Sequence, residues 1–182
     1  MIHTAPLQSC LVVLVGPPGS GKSEWTRRNA AGAVVVSQDD LIDVITPYGF
    51  DHSYRPVYMA AEDATGRAGL AAGFAVIVDR TNRTRVLRER WIRIAREAAC
   101  PAVAVEMTAA SELCRMRNRA RSGSSRVSDR RMERMLAVME PVSDDEGFAG
   151  VFRDDQVSLQ DILEYLRSRA GKESHEYCNQ TR

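Results

Sequence analysis

The chain has 182 residues, of which 44% are hydrophobic and 27% charged, and its formal net charge at pH 7 is +1. These values predict one globular domain, and they exclude a transmembrane protein because no apolar run approaches the roughly 18–20 residues that span a bilayer. The four cysteines and three histidines are widely scattered, which argues against a zinc site and favours a reducing, cytoplasmic compartment. The N-terminus lacks the basic region of a secretory signal.

The first predicted element is a buried strand over residues 10–15, which leads directly into the stretch Gly16-Pro17-Pro18-Gly19-Ser20-Gly21-Lys22-Ser23. The spacing G-x-x-x-x-G-K-S is that of a P-loop, and a helix to about residue 31 is predicted after it. In such a loop the backbone N–H groups and the helix N-terminus bind phosphate, which assigns this role to Gly16, Gly19, Ser20 and Gly21.

The side chains that end this loop complete the triphosphate site. Lys22 is predicted to reach the β- and γ-phosphates, and the Ser23 hydroxyl to bind Mg²⁺. Lys22 is one of two lysines in a chain with 23 arginines. This indicates a position that needs the compact ammonium group of lysine rather than the planar guanidinium of arginine. The sequence therefore predicts a nucleoside triphosphate site, with ATP and Mg²⁺ as its cofactors.

Strands and helices alternate along the rest of the chain. Further strands are predicted at 33–36, 74–78, 102–105 and 151–152. Further helices are predicted from a cap at Ser37 or Asp39 and over about 53–72, 84–99, 110–121, 128–139 and 158–169. This alternation predicts an α/β fold of the P-loop NTPase type: a doubly wound, mainly parallel five-stranded sheet with helices on both faces. We expect residues 1–170 to form a single domain and residues 171–182 a flexible C-terminal tail.

Carboxylates end two of the predicted strands. Asp39 and Asp40 follow the second strand, and Asp79 closes the third. Because ligands of parallel sheets bind at the carboxyl ends of the strands, these side chains are expected beside the P-loop. Asp39 is the favoured proton acceptor for an incoming hydroxyl, with Asp40 as the alternative and as a substrate contact, and either could also cap a helix. Asp79 is a candidate Mg²⁺ ligand with Ser23.

Three polar residues after Asp79 are predicted to hold an acceptor substrate: Arg80, Thr81 and Asn82. The alternative for Thr81 and Asn82 is a turn and a helix N-cap. Arg80 stands where a mechanical ATPase has the Glu that activates water, and the chain has no N-K-x-D guanine-reading motif. Both features favour a transferase over a hydrolase or a switch protein.

Positive charge is concentrated in residues 80–134, which hold 15 arginines and six acidic residues. Such a segment forms either a basic surface for polyphosphates or nucleic acid, or a set of solvated helices, and charge alone does not separate the two. Within it, a lid over about 115–135 is predicted to bring three arginines to the ATP phosphates: Arg117, Arg121 and Arg126. Gly123 and its neighbouring serines supply the flexibility that closure needs.

The lid arginines are placed by helical spacing. Arg117 and Arg121 are four residues apart and are predicted to share one face of a helix. The core-facing side of that helix is predicted to hold Leu113, Met116 and Ala120.

An aromatic group lies earlier in the chain, at Tyr48, Phe50, Tyr54 and Tyr58. It either stacks on a base of the acceptor or packs a helix against the sheet.

Together the motifs resemble those of the P-loop 5′-OH polynucleotide kinases, and more broadly the zeta-toxin-like and small-molecule kinases grouped with them: GPPGSGKS, VVSQDD, VIVDRTN, CRMRNRAR and EPVSDDEGF. The resemblance covers about residues 10–155. It implies that Asp39 is the general base for a 5′-hydroxyl and that Arg117 and Arg121 are lid arginines on ATP. Such kinases usually carry D-x-x-R, whose Arg supports the base and the substrate phosphate, whereas the fourth position here is Ile42.

Three functions follow as hypotheses. The first is an ATP-dependent cytoplasmic kinase that transfers the γ-phosphate to the 5′-OH end of RNA or DNA, without a membrane partner. The second, to which Ile42 points, is a small-molecule or zeta-toxin-like phosphotransferase on the same scaffold. The third is a non-catalytic ATP-binding switch protein, against which the absent Glu and guanine motif count.

Overall fold

The structure is a computed structural model that describes residues 9–180, without the side chains of Ser124 and of residues 172–180. Its five strands are β1 (Cys10–Val15), β2 (Ala33–Ser37), β3 (Ala75–Asp79), β4 (Ala102–Glu106) and β5 (Gly150–Arg153). They form one sheet in the order β2-β3-β1-β4-β5, and every neighbouring pair is parallel. The predicted α/β fold is confirmed, with a sheet that is entirely parallel.

Strand register explains why the predicted functional residues can meet. β1 lies between β3 and β4, and Val12 stands opposite both Ile77 and Val103. At the other junction Ser37 of β2 stands opposite Asp79 of β3. Parallel strands end at one edge of the sheet, so the loops after β1, β2 and β3 leave that edge next to one another.

Seven helices connect and cover the strands in the described part of the chain. They are α1 (Lys22–Asn29), α2 (Gln38–Ile45), α3 (Arg55–Ala71), α4 (Arg85–Glu97), α5 (Ser111–Arg119), α6 (Asp129–Ala137) and α7 (Leu159–Gln180). Short 3₁₀ turns occur at His52–Tyr54, Gly123–Ser125 and Asp144–Glu146. Between residues 9 and 180, no helix has both the length and the apolar composition needed to cross a membrane.

The core has two layers, one on each face of the sheet. On the first face, α3 and α4 bury Leu70, Trp91 and Ile94 against alternate sheet residues such as Val13 and Val78. On the second face, α1 and α7 cover the intervening sheet residues, and the cluster holds Trp25, Val12, Ile77, Ile162 and Leu163. Side chains that alternate between two buried faces account for the nearly continuous apolar runs of the strands.

Two helix predictions differ from the structure. The buried side chains of α5 are Cys114 and Asn118, whereas Met116 and Ala120 are exposed, so the predicted core face of this helix is wrong. An apolar periodicity alone misses a buried asparagine, because its amide is satisfied by partners from another segment. The last helix continues to Gln180 instead of ending at residue 169, and Gly171 lies inside it. Only residues 181–182 of the predicted tail lie outside the described residues.

Candidate active site

The P-loop connects the central strand β1 to helix α1. Its first residue, Gly16, donates its backbone N–H to the carbonyl of Thr81 over 3.0 Å, which joins the loop to the segment after β3. Gly19 and Gly21 have φ values of 79° and 109°, and Gly21 immediately precedes the first residue of α1. Positive φ is accessible to glycine at little cost, so the glycines allow the loop to turn into the helix N-terminus.

Lys22 lies in the concave side of this loop. Its ammonium donates to the carbonyl oxygens of Gly16, at 3.0 Å, and Pro17, at 2.8 Å, and to the Ser20 hydroxyl at 3.4 Å. Burial lowers the pKa of Lys22 to about 8. The negative charge of Asp79 opposes this shift, and the positive charge of Arg121 adds to it. A buried cation in a ring of backbone dipoles is positioned to neutralise phosphate oxygens.

Ser23 and Asp79 form a pair of hard oxygen donors next to Lys22. Burial raises the pKa of the Asp79 carboxyl, and a hydrogen bond from the Ser23 hydroxyl and the charge of Lys22 act in the opposite direction. A hydroxyl and a carboxylate are oxygen ligands of the kind that Mg²⁺ takes, together with water and phosphate oxygens. The donor set therefore fits the predicted Mg²⁺ ion, which when bound would neutralise charge on the triphosphate.

Asp39 and Asp40 lie in the first turn of α2, and Ser37 caps that helix by accepting from the backbone N–H of Asp40. Both side chains are exposed. The negative charge of Asp39 raises the pKa of both Lys22 and Asp79, so its carboxylate lies within electrostatic range of the P-loop. An exposed carboxylate at this edge is accessible to an acceptor hydroxyl.

The lid is a helical hairpin made of α5, the Gly123–Ser125 turn and α6. Arg117 extends from α5 over the P-loop, where Nη1 donates to the carbonyl of Gly19 at 3.4 Å. Arg121 follows the end of α5, and its charge lowers the pKa of Lys22. Asn118 closes the hairpin, because its amide accepts from the backbone N–H of Val127 and donates to the carbonyl of the same residue.

The remaining predicted site residues have different placements. Arg126 lies on the exposed lid turn, with Nη2 3.8 Å from a carboxylate oxygen of Asp129. Arg80 lies at the end of β3 and is paired with Glu62 at 2.6 Å. Asn82 is 3% exposed, and its amide donates to the carbonyls of Leu14 and Arg80, so it is committed to the fold rather than open to an acceptor.

Much of the basic charge of residues 80–134 is paired internally. Eight of its arginines lie within 4.0 Å of a carboxylate oxygen in the described part of the chain: Arg80, Arg85, Arg88, Arg90, Arg93, Arg115, Arg119 and Arg126. The segment is therefore less basic at its surface than its composition suggests. Arg117 and Arg121, near the P-loop, have no ion pair with a carboxylate among the described residues.

Comparison with known proteins agrees with this fold. The family described as AAA domain, AAA_33, matches residues 11–142, a range that includes the P-loop, all three carboxylates and the lid. The chain belongs to the AAA_33 family. The AAA_33 chain thus has the α/β fold of a P-loop NTPase, with an all-parallel sheet.

Several solved structures share the fold of this AAA_33 domain. A proposed kinase of Chloroflexus aurantiacus is 16% identical, with a TM-score of 0.67 over 93% of this chain and 99% of the other. Chaetomium thermophilum Kti12, solved with ADP-AlF3, is 17% identical, with a TM-score of 0.66 over 87% and 97% of the two chains. In a Pnkp1/Rnl/Hen1 complex the match is 23% identical, with a TM-score of 0.54 over 67% of this chain and 42% of that one.

The structure also reveals polar residues that the sequence analysis did not single out. Asn118 holds the lid turn, and Glu62, 0% exposed, holds Arg80. Arg88 is also fully buried and donates to Glu146 and to the backbone carbonyls of Asn82, Glu140 and Pro141. The sequence indicates such residues only by a carboxylate or an arginine on an otherwise apolar helix face. This pattern does not show which residue is the partner.

We predict that Gly19→Ala disrupts the contact between the P-loop and the lid. A Cβ at Gly19 would lie 2.5 Å from the carbonyl oxygen of Cys114 in α5, at a φ of +79°. The matched control is Gly73→Ala, where φ is +85° and no atom lies within 4 Å of the added Cβ. The control should lose about 1 kcal/mol of unfolding free energy from backbone strain. Gly19→Ala should lose about 1–3 kcal/mol more from the clash.

Urea denaturation measures both losses, and titration with ATP measures the affinity of each variant. Only Gly19→Ala should also weaken nucleotide binding, because the loop must move away from α5 to admit the methyl group. Equal losses of stability in the two variants, with ATP affinity retained in both, would show that the loop and α5 do not touch as described.

Proposed function

We propose that this protein is an ATP-dependent kinase that transfers the γ-phosphate to the 5′-hydroxyl end of RNA or DNA. The observation that carries the proposal is the arrangement around the P-loop: Lys22 donates to the carbonyls of Gly16 and Pro17, Arg117 reaches the carbonyl of Gly19, and Asp79 and Asp39 follow paired strands at the same edge of the sheet. Phosphoryl transfer requires a triphosphate-binding site, a metal-binding carboxylate, an accessible base and a cation on the lid.

Each side chain takes one role in the proposed reaction. Lys22 and the P-loop N–H groups hold the β- and γ-phosphates, and Arg117 and Arg121 offset the charge that develops on the transferred group. Asp39 accepts the proton of the acceptor hydroxyl as its oxygen forms a bond to the γ-phosphorus. The bond from the γ-phosphorus to the β-phosphate oxygen breaks, and ADP leaves. Ser23 and Asp79 would hold Mg²⁺.

Support for a nucleic-acid acceptor comes from the segment between α2 and α3. Tyr48 is fully exposed, and Phe50 and Tyr54 are about half exposed, whereas Tyr58 is buried and packs near the rings of both. Exposed aromatic rings are suited to stacking on bases. The similar fold in a Pnkp1/Rnl/Hen1 complex and the free thiols of Cys10, Cys100 and Cys114 fit a cytoplasmic nucleic-acid kinase.

A small-molecule phosphotransferase is the second candidate. It is favoured by Ile42, which lies three residues after Asp39, at the position where the resembling polynucleotide kinases have an arginine. A sugar kinase from Janibacter also shares the fold, with 19% identity and a TM-score of 0.55 over 90% of this chain and 91% of the other. This candidate predicts ATP consumption with sugars or other metabolites and indifference to oligonucleotides.

One assay separates the two candidates. The protein is incubated with Mg²⁺ and γ-labelled ATP and with RNA or DNA oligonucleotides that carry either a 5′-hydroxyl or a 5′-phosphate, in parallel with a sugar and metabolite panel. We expect label only on the 5′-hydroxyl strands, and none with a Lys22→Ala protein prepared in the same way. Label on a metabolite and on no oligonucleotide would overturn the proposed function in favour of the second candidate.

A further inference from the structure

We infer that the Thr26 hydroxyl of α1 is a positioning group for the metal site. It donates a hydrogen bond to the carboxylate of Asp79 and holds that carboxylate in the orientation that binds Mg²⁺ together with Ser23. Thr26 would not touch the ion itself, and it lies outside the P-loop motif, which ends at Ser23. The inference rests on the metal site of the proposed function and does not depend on which acceptor receives the phosphate.

Thr26 carries a buried hydroxyl that has no hydrogen-bond partner among the described residues. The residue is 7% exposed, and its Oγ1 is inaccessible to solvent. Burying a hydroxyl without a partner is costly, because the group loses its hydrogen bonds to water and gains none from the protein. Such a group in a folded protein calls for a reason, and a ligand or an ion bound nearby is one of the usual ones.

The local helix does not satisfy this hydroxyl. A threonine inside a helix can donate to the carbonyl four residues earlier, and Thr65 of α3 does so, with Oγ1 2.8 Å from the carbonyl oxygen of Ala61. Thr26 has the same opportunity, since Lys22 stands four residues before it in α1. It makes no such bond. Its hydroxyl is therefore available to a group outside the helix.

Asp79 is the group outside the helix that Thr26 faces. The carboxylate ends β3, which is the neighbour of β1 in the sheet, and α1 packs against β3. Ser23 and Thr26 are three residues apart, so their side chains lie on one face of α1. Burial raises the pKa of Asp79, and hydrogen bonding by both hydroxyls lowers it, with Thr26 making the smaller contribution. The Thr26 hydroxyl is thus close to the carboxylate but outside regular hydrogen-bond geometry.

The metal site needs a donor of this kind. A carboxylate that binds a metal ion is itself oriented by a hydrogen bond from a neighbouring group. Four residues act strongly on Asp79: Ser23, Lys22, Asp39 and Thr26. The Ser23 hydroxyl is assigned to the ion, the Lys22 ammonium is engaged by the P-loop carbonyls, and an ionised Asp39 has no proton to donate. Of the four, Thr26 remains as the donor that can orient the carboxylate.

The test uses Thr26→Val, which keeps the shape of the side chain and removes the hydroxyl. Thr26→Ser is the conservative variant, and Thr65→Val is the control, because it removes a helical hydroxyl from α3 on the other face of the sheet. Calorimetry measures the Kd of ADP in EDTA and over a range of free Mg²⁺ concentrations. These values give the Kd of Mg²⁺ for the protein–ADP complex by linkage. Thermal unfolding measures the stability of each variant.

We expect Thr26→Val to raise the Kd of Mg²⁺ for the protein–ADP complex by about 10–100-fold, as for other lost partners of metal ligands. The affinity for ADP in EDTA should stay unchanged. The Tm should be no lower than that of the wild type, since the substitution removes a buried hydroxyl without a partner. Thr26→Ser should bind Mg²⁺ much as the wild type does, and Thr65→Val should match the wild type in both affinities.

Two results would overturn the inference. The first is a Thr26→Val protein that binds Mg²⁺ as tightly as the wild type. The second is an equal loss of ADP affinity with Mg²⁺ and in EDTA, because the hydroxyl would then support the helix or the nucleotide instead of the metal site. Should Thr26→Val fold poorly, the comparison of Thr26→Ala with Thr26→Ser decides between the same outcomes.

Failure of this inference is distinguishable from failure of the proposed function, because no acceptor is present in these measurements. If Mg²⁺ strengthens ADP binding equally in the wild type and in Thr26→Val, the role of Thr26 is overturned and the metal site and the kinase proposal stand. If no oligonucleotide is phosphorylated but the Mg²⁺ affinity falls in Thr26→Val, the inference stands without the proposed acceptor. A wild type that binds ADP equally with Mg²⁺ and in EDTA overturns the metal site and the inference together.

Discussion

Replacement of Asp39 by Asn is expected to lower kcat for phosphoryl transfer by about 10²–10⁴-fold, the contribution of a positioned general base. The carboxylate is exposed at the edge where the strand loops meet, and its charge acts on Lys22 and Asp79. An amide of the same size cannot take up the proton of the hydroxyl. The KM for ATP should change little, because Asp39 is not assigned to the triphosphate.

Asp40→Asn is the matched control for this prediction. The two residues are adjacent, both are exposed, and both substitutions remove one negative charge from the first turn of α2. Ser37 caps the helix through the backbone N–H of Asp40, a contact that neither substitution removes. Asp40→Asn should retain kcat to within about threefold, since a nearby charge without a proton-transfer role has a small effect.

Steady-state kinetics with saturating ATP and a 5′-hydroxyl oligonucleotide measure both variants, and thermal unfolding confirms that each is folded. If Asp40→Asn shows the large loss while Asp39→Asn is active, the base is Asp40. If both remain active, neither carboxylate is the base, and the proton must leave by another route.

The parts of the site that the sequence predicted are set by local chemistry. The run Leu11–Val15 followed by G-x-x-x-x-G-K-S specifies a buried strand, a phosphate-binding turn and a helix start within a few residues. Asp39 and Asp79 could be placed because each follows an apolar strand, and the carboxyl ends of parallel strands share one edge of the sheet. The order of the strands was not needed for this step.

The parts that the sequence did not predict depend on contacts between distant segments. Glu62 and Arg80 are 18 residues apart, and Arg88 and Glu146 are 58 apart. Both pairs join charged residues on elements whose relative position follows only from the sheet order. The exposed Met116 and the buried Asn118 reverse the expected polarity of α5 for the same reason, because Val127 of the next segment satisfies the asparagine.

Arg88→Met and Glu146→Gln are each expected to lower the unfolding free energy by about 3–5 kcal/mol, because each leaves the other half of a buried ion pair uncompensated. Glu146 accepts from Arg88 Nε at 2.7 Å and from Nη2 at 2.6 Å, and both side chains are at most 1% exposed. The same guanidinium binds the carbonyls of Asn82 and Glu140. The pair therefore holds the end of the lid hairpin against the loop after β3.

The acid dependence of stability gives this prediction a specific signature. Burial raises the pKa of Glu146, but the hydrogen bonds from Arg88 and Ser143 outweigh it and hold that pKa below its usual value. A carboxylate with a depressed folded pKa stabilises the protein above its unfolded pKa of about 4.3, and the contribution is lost as the pH falls below that value. The difference in stability between wild type and Glu146→Gln should accordingly shrink on acidification.

The neighbouring pair Arg85–Asp145 supplies the control, because it joins the same two segments at the surface. Its side chains are 51% and 70% exposed, so Asp145→Asn should lower the stability far less than Glu146→Gln does. For a domain of this size the buried-pair variants should lower Tm by about 6–20 °C and the surface variant by less than about 4 °C. Similar shifts for the two pairs would mean that burial of Arg88 and Glu146 does not determine how firmly the end of the lid hairpin is joined to the loop after β3.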